Sequence, residues 1–590
     1  MLDDPQALLE QGIQEHQAGR LAEAEMHYRR VLEMDAGHLD TQYLLGTVLL
    51  QLGRFDECIV LLKQVAEARP DVPDALNNLG VAYKAQGCWK EAAQAFESAI
   101  NVQSNYDQAY YNLGALMEER GLYADAEKCY RRALDIKPDD VPMRCRLGEA
   151  LKAQNKWAEA EACLRDVLDR DPGNLDARVN LGFTLIKQER LAEAERHFVE
   201  ILDLEPDYHQ VHNNLSYIYE RRGEFDKATA SVQRALELQP KYAEGYNNLG
   251  TLLRSQHRFN EACACFQKAL DVKPDFALAE FNLGTTQLLK GDFKNGWKGY
   301  ERRAEILDSP PRQFSQPRWE GQPIEGRRLF VYSDQGFGDA IQFVRFLKPA
   351  RNRSGATIVF ECQPQLKTLF NAHDCVDELI VDGEALPEFD LQIPLSSLAR
   401  ICDVDANSIS TEVSYIDAPA MPRPELRELI EWSDEDHLNV GFVWQGNPAQ
   451  ARDVHRSCPP EKFLSLTEIP RVSMFSLQVA DASPNSSADG DSATSVIDIG
   501  SHLTDFSDTA AVVNRLDLVI TVDTAVAHLA GALGRPVWTL LCHTPDWRWL
   551  LDRTDSPWYQ TMRLFRQPTW GDWDALFDQV KDALKQLTSL

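Results

Sequence analysis

The 590-residue sequence contains no apolar run approaching the roughly 18–20 residues that a membrane helix needs. It is also short of positive charge, since 61 Lys and Arg oppose 91 Asp and Glu for a formal net charge of −30. That balance argues against a nucleic-acid partner, because neutralising phosphates requires clustered cations. The first residues, Met1–Pro5, lack the basic and apolar regions of a secretion signal. The twelve cysteines include no Cys-x-x-Cys pair, so we expect reduced thiols and a cytoplasmic location.

What the sequence does contain is a 34-residue frame that runs through nine copies without an insertion. Within it, three small-residue or proline positions recur, and Ser216 replaces the glycine once. The frame glycines are Gly12, Gly46, Gly80, Gly114, Gly148, Gly182, Gly250 and Gly284. Twelve residues later come Ala24, Cys58, Ala92, Ala126, Ala160, Ala194, Ala228, Ala262 and Gly296, and twelve further on Pro70, Pro138, Pro172, Pro206, Pro240 and Pro274. This period, with small residues at helix contacts and proline after the second helix, resembles the tetratricopeptide repeat (TPR).

The repeat predicts an all-α superhelix over residues 1–306, in which stacked helical hairpins form one continuous core. The resemblance implies a concave groove lined by the first helix of each pair and suited to an extended peptide. An asparagine two places before the frame glycine faces that groove in TPR proteins, and its amide can hold a peptide backbone. The alternative is that these asparagines bond only locally. They are Asn78, Asn112, Asn180, Asn214, Asn248 and Asn282.

Past a predicted proline-rich linker over residues 307–326, strand and helix patterns alternate, as in a parallel sheet with buried strands. Residues 327–432 predict one Rossmann-like lobe and residues 437–590 a second lobe with a C-terminal helix near 572–587. Ser- and Gly-rich residues 481–495 predict a surface loop. The predicted strands cover residues 329–332, 357–360, 379–381, 391–393, 439–444, 474–477, 496–499, 518–521 and 537–541.

Two segments follow strands and open helices. In Ser333–Asp339, glycines allow a sharp turn, and Asp339 is either a helix N-cap or a general base in a cleft. In the second segment a strand delivers Asp523 and Thr524 to the start of a helix of small residues, where free amides and the helix dipole favour a diphosphate. His528 lies one turn further on, on the same face as Thr524, and its alternative role is packing against a strand.

These segments resemble the ADP-heptose glycosyltransferase (heptosyltransferase) family over roughly residues 327–587. The resemblance rests on Gly338-Asp339, on Gly441–Asn447, and on Asp523-Thr524-Ala525-x-x-His528 followed by Leu533–Val537. That family has the GT-B fold of two Rossmann-like lobes. Joined to TPR repeats, the layout is also similar to protein O-GlcNAc transferases and to TPR-bearing flagellin glycosyltransferases of bacteria.

The resemblance implies roles for individual residues. Asp339 matches the aspartate proposed as the base that activates the acceptor. The donor nucleotide-sugar would contact the residues Gly338, Gln445, Asn447, Asp523, Thr524, Ala525 and His528. A cation on the phosphates would come from His455 or Arg456, whose alternative is a solvated loop. The part that resembles the family is short for GT-B, so its cleft is either shallow or completed by the last repeats.

No metal or other cofactor is expected, because protein cations and helix amides stabilise the leaving diphosphate in enzymes of this kind. Asp403–Asp405 and Asp434–Asp436 match a metal-binding Asp-x-Asp only superficially. The aromatic segment Trp547–Tyr559 either lines the sugar or acceptor site or packs the C-terminal segment against its lobe.

The sequence therefore predicts a glycosyltransferase that moves a sugar from a nucleotide-sugar donor to a protein acceptor held by the TPR groove. One alternative is a non-catalytic TPR scaffold with a nucleotide-binding or decayed GT-B domain. A further alternative is a glycosyltransferase acting on a glycolipid or lipopolysaccharide, which predicts a basic or amphipathic membrane-facing patch.

Overall fold

A computed structural model of the chain describes residues 4–306, 312–371, 373–405, 408–409, 413–419, 421–430, 437–447, 453–479 and 496–589. Helices alone occupy the region up to Ile306, and two parallel sheets with flanking helices follow. The predicted fold class, TPR helices followed by an α/β region with two Rossmann-like lobes, is confirmed. The chain divides into two compact units, Met1–Ile218 and Tyr219–Leu590. The last helical repeats therefore belong to the same unit as both sheets.

The first helix of every hairpin has 13 residues, and the second has 14 in all hairpins except the last, where it has 8. A short helix, α19 (Arg303–Ile306), follows the last hairpin. The hairpin helices are α1 (Pro5–Gln17), α2 (Leu21–Met34), α3 (Leu39–Gln51), α4 (Phe55–Ala68), α5 (Pro73–Ala85), α6 (Trp89–Val102), α7 (Asp107–Glu119), α8 (Tyr123–Ile136), α9 (Val141–Ala153), α10 (Trp157–Arg170), α11 (Leu175–Lys187), α12 (Leu191–Leu204), α13 (His209–Arg221), α14 (Phe225–Leu238), α15 (Ala243–Ser255), α16 (Phe259–Val272), α17 (Ala277–Leu289) and α18 (Phe293–Tyr300).

Glycine is needed at the frame position because a large side chain of the second helix packs directly against it. A Cβ atom on Gly80 would stand 2.5 Å from the ring of Phe96, which is fully buried. In the last hairpin the contact is with backbone, since a Cβ on Gly284 would meet Gly299 at 2.7 Å. The small residues of the frame thus set the distance between the two helices of each hairpin.

The first sheet has four parallel strands in the order β3-β2-β1-β4, so the chain leaves β1 in one direction and later returns on its other side. The strands are β1 (Arg328–Tyr332), β2 (Thr357–Cys362), β3 (Glu378–Val381) and β4 (Leu391–Pro394). The helices around it are α20 (Phe337–Phe343), α21 (Leu347–Ser354), α22 (Lys367–Phe370), α23 (Leu398–Ile401) and α24 (Pro424–Ile430).

The second sheet has six parallel strands in the order β10-β9-β8-β5-β6-β7. Its strands are β5 (Leu438–Val443), β6 (Val472–Ser476), β7 (Ile497–Asp498), β8 (Leu518–Val522), β9 (Val537–Leu541) and β10 (Met562–Arg566). Its helices are α25 (Asp453–Arg456), α26 (Pro460–Leu464), α27 (Phe506–Val513), α28 (Ala525–Ala532) and α29 (Trp573–Thr588). Nine strands lie where they were predicted, whereas β10 was missed because two arginines interrupt its apolar pattern.

The last hairpin packs directly on the sheets through aromatic side chains. The Trp297 indole N–H donates to the Val404 carbonyl (2.8 Å), and its ring centroid lies 5.1 Å from that of Trp547. The Tyr300 ring is 5.5 Å from Trp547, and Trp558 lies 5.9 Å away on another side of it. Trp547 and Trp558 are both buried, which agrees with the packing alternative for these two members of the aromatic segment.

Some predicted features lie outside the described residues: the start of the linker at 307–311, Asp434–Asp436 and the loop 481–495. Across the described parts of the chain, no helix is long and apolar enough to span a bilayer.

Candidate active site

Each sheet reverses its strand order at one place, and loops of interest follow the strands there. In the first sheet the reversal lies between β1 and β4, and in the second between β5 and β8. Ligands of open parallel sheets bind beyond the carboxyl ends of the strands at such a reversal, because the two neighbouring loops diverge and leave a crevice. Asp339 and Thr524, predicted from the sequence as site residues, follow β1 and β8 respectively.

Beyond β1, the chain turns at Gly336, which is the N-cap of α20. Asp339 is the third residue of that helix, so it does not occupy the cap position that was its alternative role. The preceding Asp334 is fixed by two partners. It accepts from the Ser396 hydroxyl after β4 (2.6 Å) and from Nε of Arg303 in α19 (2.8 Å). The last helix before the sheets thus helps to order the loop that carries Asp339.

Beyond β8, Asp523 and Thr524 lead into α28. Thr524 is the N-cap, but its hydroxyl is hydrogen-bonded to that of Thr521 (2.9 Å) and makes no capping bond. The first amides of a helix have no partner within the helix, so the turn that begins at Ala525 can bind an anion through its N–H groups. This is the geometry that the sequence predicted for Thr524 and Ala525.

Helices α20 and α28 pack on each other and bring the two loops together. Gly338 makes this approach possible, since a Cβ there would stand 2.8 Å from Cδ2 of His528. The predicted donor contact of Gly338 stays a prediction. Its missing side chain makes room for His528 of the other lobe, and this contact places Asp339 one residue from the interface between the helices.

His528 is buried in an aromatic and cationic environment. Its Nδ1 shares a hydrogen bond of 2.8 Å with the Tyr559 hydroxyl, and its ring stacks on Trp549 at 5.3 Å. Burial lowers the pKa of His528 well below its usual value, and the charges of Arg548 and Arg345 lower it further. The imidazole is therefore neutral at pH 7. Its Nδ1 is used in the contact with Tyr559, and its predicted contact with the donor stays a prediction.

An arginine that sequence reasoning missed lies against the predicted base. Arg548 forms an ion pair with Asp339, and it donates from Nη1 to Asp546 (2.6 Å) and from Nε to Gln342 (2.6 Å). Burial raises the pKa of Asp339, and Arg548 opposes this by favouring the carboxylate. The sequence signal for Arg548 was its place in the aromatic segment Trp547–Tyr559, for which both a role in lining the sugar or acceptor site and a packing role were left open.

Asp523 is the other perturbed carboxyl group of the site. Burial, assisted by the negative charge of Asp546, raises the pKa of Asp523 to about 6. The Trp549 indole, Arg456 and Arg548 act in the opposite direction. Asp523 therefore changes its charge within the physiological range of pH, which is common for groups at functional sites.

The two candidate phosphate cations, Arg456 and His455, have different surroundings. Arg456 donates from Nε to Asp453 (2.9 Å), and its charge acts on both Asp523 and His528. His455 faces Trp570, with 5.0 Å between the rings. Of these two residues, Arg456 is the one whose charge acts on the groups around the start of α28, and its contact with donor phosphates stays a prediction.

Gly446, in the loop after β5, contacts the pair of Asp453 and Arg456, with no room for a side chain of its own. The backbone N–H of the predicted donor contact Gln445 donates to Gln478 Oε1 (3.1 Å), and Asn447 is exposed at the end of the same loop. Both residues therefore flank the reversal between β5 and β8, on the side of Arg456.

The six TPR asparagines differ in their surroundings. Asn112 donates to Asn77 Oδ1 (2.8 Å) and Asn282 to Asn247 Oδ1 (2.9 Å), so each connects neighbouring repeats. Asn78 donates to Thr47 (3.3 Å), and Asn180 bonds to Glu149 (3.4 Å) and Lys152. Asn282 is buried, which supports local bonding there. A peptide-binding role stays a prediction for the others.

In the part of the chain with described coordinates, no group of three or more His, Cys, Asp or Glu side chains is arranged to hold a metal ion.

Comparison with protein families identifies both regions. Tetratricopeptide-repeat models match residues 15–80, 119–184, 151–215 and 185–253, with further matches at 71–139 and 243–276. The model of glycosyltransferase family 9 (heptosyltransferase) matches residues 502–570, which include β8, α28, β9 and β10. The chain carries TPR repeats and a family 9 glycosyltransferase domain. The family resemblance expected from the sequence is thereby confirmed.

Among curated proteins, Protein FlbA of Caulobacter vibrioides is 24% identical over 331 residues, which are 51% of this chain and 54% of FlbA. The match therefore spans about half the length of this relative. Among solved structures, TTC0263, a thermophilic TPR protein in Thermus thermophilus, is 23% identical and covers 31% of this chain and 100% of its own, with a TM-score of 0.26. MamA from Desulfovibrio magneticus RS-1 is 21% identical over 29% of this chain and 96% of its own, with a TM-score of 0.28.

Proposed function

We propose that the protein transfers a sugar from a nucleotide-sugar donor to a protein acceptor, without a metal, in a GT-B-type cleft between its two lobes. The observation that carries this proposal is the packing of α20 on α28. It brings Asp339 from the first lobe next to the anion-binding turn, the neutral His528 and the cations of the second lobe. A base and a phosphate site in contact are what displacement at an anomeric carbon requires.

In the proposed reaction, the Asp339 carboxylate accepts the proton of an acceptor hydroxyl. The hydroxyl oxygen forms a bond to the anomeric carbon, and the bond from that carbon to the phosphate oxygen breaks. The nucleoside diphosphate leaves with the bonding electron pair, and its negative charge is stabilised by the first amides of α28 and by Arg456. Burial raises the pKa of Asp339, which makes it a stronger base than an exposed aspartate.

The protein acceptor is proposed because the last TPR hairpin is part of the site's framework. Arg303 of α19 holds Asp334 beside α20, and Trp297 and Tyr300 of α18 pack on Trp547. A chain held along the last repeats would thus end close to Asp339. Contacts between acceptor and repeats would then be able to position the acceptor hydroxyl.

The experiment begins with thermal denaturation of the full chain in ADP, UDP, GDP or CMP, because a ligand of the native state alone raises the melting temperature. Labelled nucleotide-sugars of the stabilising nucleotide are then incubated with candidate acceptor proteins and, separately, with glycolipid. We expect stabilisation by one nucleotide diphosphate and label on protein. Label on the glycolipid would overturn the proposal of a protein acceptor. If no nucleotide binds and no sugar is transferred, the alternative of a non-catalytic TPR scaffold would be favoured.

A further inference from the structure

The base Asp339 belongs to the first lobe, but the side chain that holds it belongs to the second. Arg548 follows β9 in a single 3-10 turn, Trp547–Trp549, and its guanidinium reaches Asp339 and Gln342 of α20. These two residues lie three positions apart and so share one face of the helix. Arg548 therefore binds two side chains of α20 and, with a third donor, the carboxylate of Asp546.

We propose that Arg548 is a positioning residue that orients the Asp339 carboxylate for proton abstraction and keeps it ionised inside the cleft. The inference rests on the proposed function and deepens it. It makes the base dependent on a residue from the opposite lobe, so that Asp339 is oriented only while the two lobes are in contact.

The guanidinium is itself held rigidly. Its carbon lies 4.5 Å from the Trp547 ring centroid, and Trp547 is packed by Trp297 and Tyr300 of the last TPR hairpin. The Arg548 carbonyl accepts from the Trp558 indole (2.7 Å), which fixes the backbone. Arg548 is 8% exposed and Gln342 is fully buried. A planar donor fork fixed in this way dictates where its carboxylate partner can lie.

The charges around Asp339 give Arg548 its second role. From its own loop Asp339 faces Asp334, from the 3-10 turn it faces Asp546 and Arg548, and from α18 it faces Tyr300. His528 of α28 is neutral. Arg548 is the cation among these groups, and the other charged ones are acids. Without it, burial and two neighbouring carboxylates would favour the protonated form of Asp339, opposed only by the hydrogen bond from the Gly336 N–H among the groups that act on it most strongly.

The kinetic test compares the parent with Arg548→Gln, Arg548→Lys and a control, Arg553→Gln. Arg553 belongs to the same segment and pairs with the exposed Asp555 (2.6 Å), outside the cleft. We expect Arg548→Gln to lower kcat at pH 7 by about 10- to 100-fold through misplacement of the base. The acid limb in the pH profile of kcat for Arg548→Gln should move to higher pH, because loss of the cation raises the pKa of Asp339. Arg548→Lys should restore the acid limb but only part of kcat, since Lys keeps the charge and loses the fork.

The donor KM separates positioning from substrate binding. An unchanged donor KM in Arg548→Gln supports positioning. A raised donor KM with an unmoved acid limb would mean that Arg548 binds the donor phosphates, and would overturn the proposal. Equal activity of Arg548→Gln and Arg553→Gln would overturn it as well.

A second measurement needs no activity and so remains informative if the proposed reaction itself fails. The melting temperature is measured for the parent, Arg548→Gln, Asp339→Asn and the double variant, at pH 5 and pH 8. We expect Asp339→Asn to destabilise the parent, because it removes one of the two carboxylates that pair with Arg548, but to stabilise Arg548→Gln at pH 8, because it removes a carboxylate that has lost its cation. Equal effects of Asp339→Asn in both backgrounds would show that the pair is not coupled, and would overturn the inference. Parent protein that transfers no sugar but shows this coupling would refute the proposed function alone.

Discussion

The two places where the sheets reverse their strand order differ in the groups that they present. At the first sheet, the carboxylates Asp334 and Asp339 lie beyond β1, held by Arg303 and Arg548 from elsewhere in the chain. At the second sheet, the amides at the start of α28 and the cation Arg456 lie beyond β8 and β5, beside the carboxyl groups of Asp523 and Asp453. In the proposed reaction, the first lobe supplies the base and the second lobe supplies the donors that bind the diphosphate.

The largest effect is expected at the first of these places. Asp339→Asn should reduce kcat of sugar transfer by about 10²- to 10⁴-fold, because an amide cannot accept the acceptor's proton. The donor affinity should stay close to that of the parent, since the donor binds to the other lobe. Initial rates and calorimetric donor titrations measure the two quantities. Asp374→Asn, on the exposed surface of the same lobe, is the control. Full activity of Asp339→Asn would remove the base from the mechanism.

The second effect tests the anion-binding lobe. Arg456→Met should weaken binding of the nucleoside diphosphate by roughly 10- to 100-fold, because a hydrogen bond to a charged group contributes about 1.5–3 kcal/mol. His455→Gln is the matched neighbour, and it should bind nearly as the parent does because His455 faces Trp570. Equilibrium titration with the nucleotide identified by thermal denaturation measures both. A larger loss for His455→Gln than for Arg456→Met would reverse the assignment.

The third effect concerns pH and follows from the raised pKa of Asp523, about 6 in the folded chain. A carboxyl group whose pKa is raised by folding costs stability as pH increases through that value, because the folded state must then hold a buried charge. The change in melting temperature caused by Asp523→Asn should therefore be more favourable at pH 8 than at pH 5, by about 1–2 °C. Scanning calorimetry at the two pH values measures this. An equal shift at both would contradict the raised pKa.

The smallest effect lies in the repeats and separates inter-repeat bonding from peptide binding. Asn112→Ala should cost about 1 kcal/mol in the free energy of unfolding, because it removes the 2.8 Å hydrogen bond to Asn77. The Asn214 side chain makes no hydrogen bond to the described residues, so Asn214→Ala should cost less. Urea denaturation measures both. If a peptide binds along these asparagines, Asn214→Ala should weaken that peptide's affinity more than it weakens stability.

The repeats were predictable because the information about each hairpin lies close together in the sequence. The frame glycine and the side chain that packs on it, such as Gly80 and Phe96, lie within the same hairpin. Strands of the two sheets were recognisable as short apolar runs, whereas β10 carries Arg563 and Arg566 and was missed. Asp523 and Thr524 were singled out because they directly follow such a run, and Asp339 because it lies at the start of the helix after another.

What escaped the sequence are relations between distant segments. Arg548 lies 209 residues from Asp339 and 206 from Gln342, and no pattern in its own neighbourhood indicates either partner. The approach of Gly338 to His528 of the other lobe was not indicated by the sequence either. The different surroundings of His455 and Arg456 also depend on how the fold turns their segment towards α28.

By itself, the sequence determined the helical repeats, the two parallel sheets and the loops that carry chemistry, because spacing and apolar patterning act over short distances along the chain. Only the tertiary structure decided which charges face each other across α20 and α28. Ion pairing and burial depend on the packing of segments that the chain separates by hundreds of residues, and that packing sets the protonation of Asp339, Asp523 and His528.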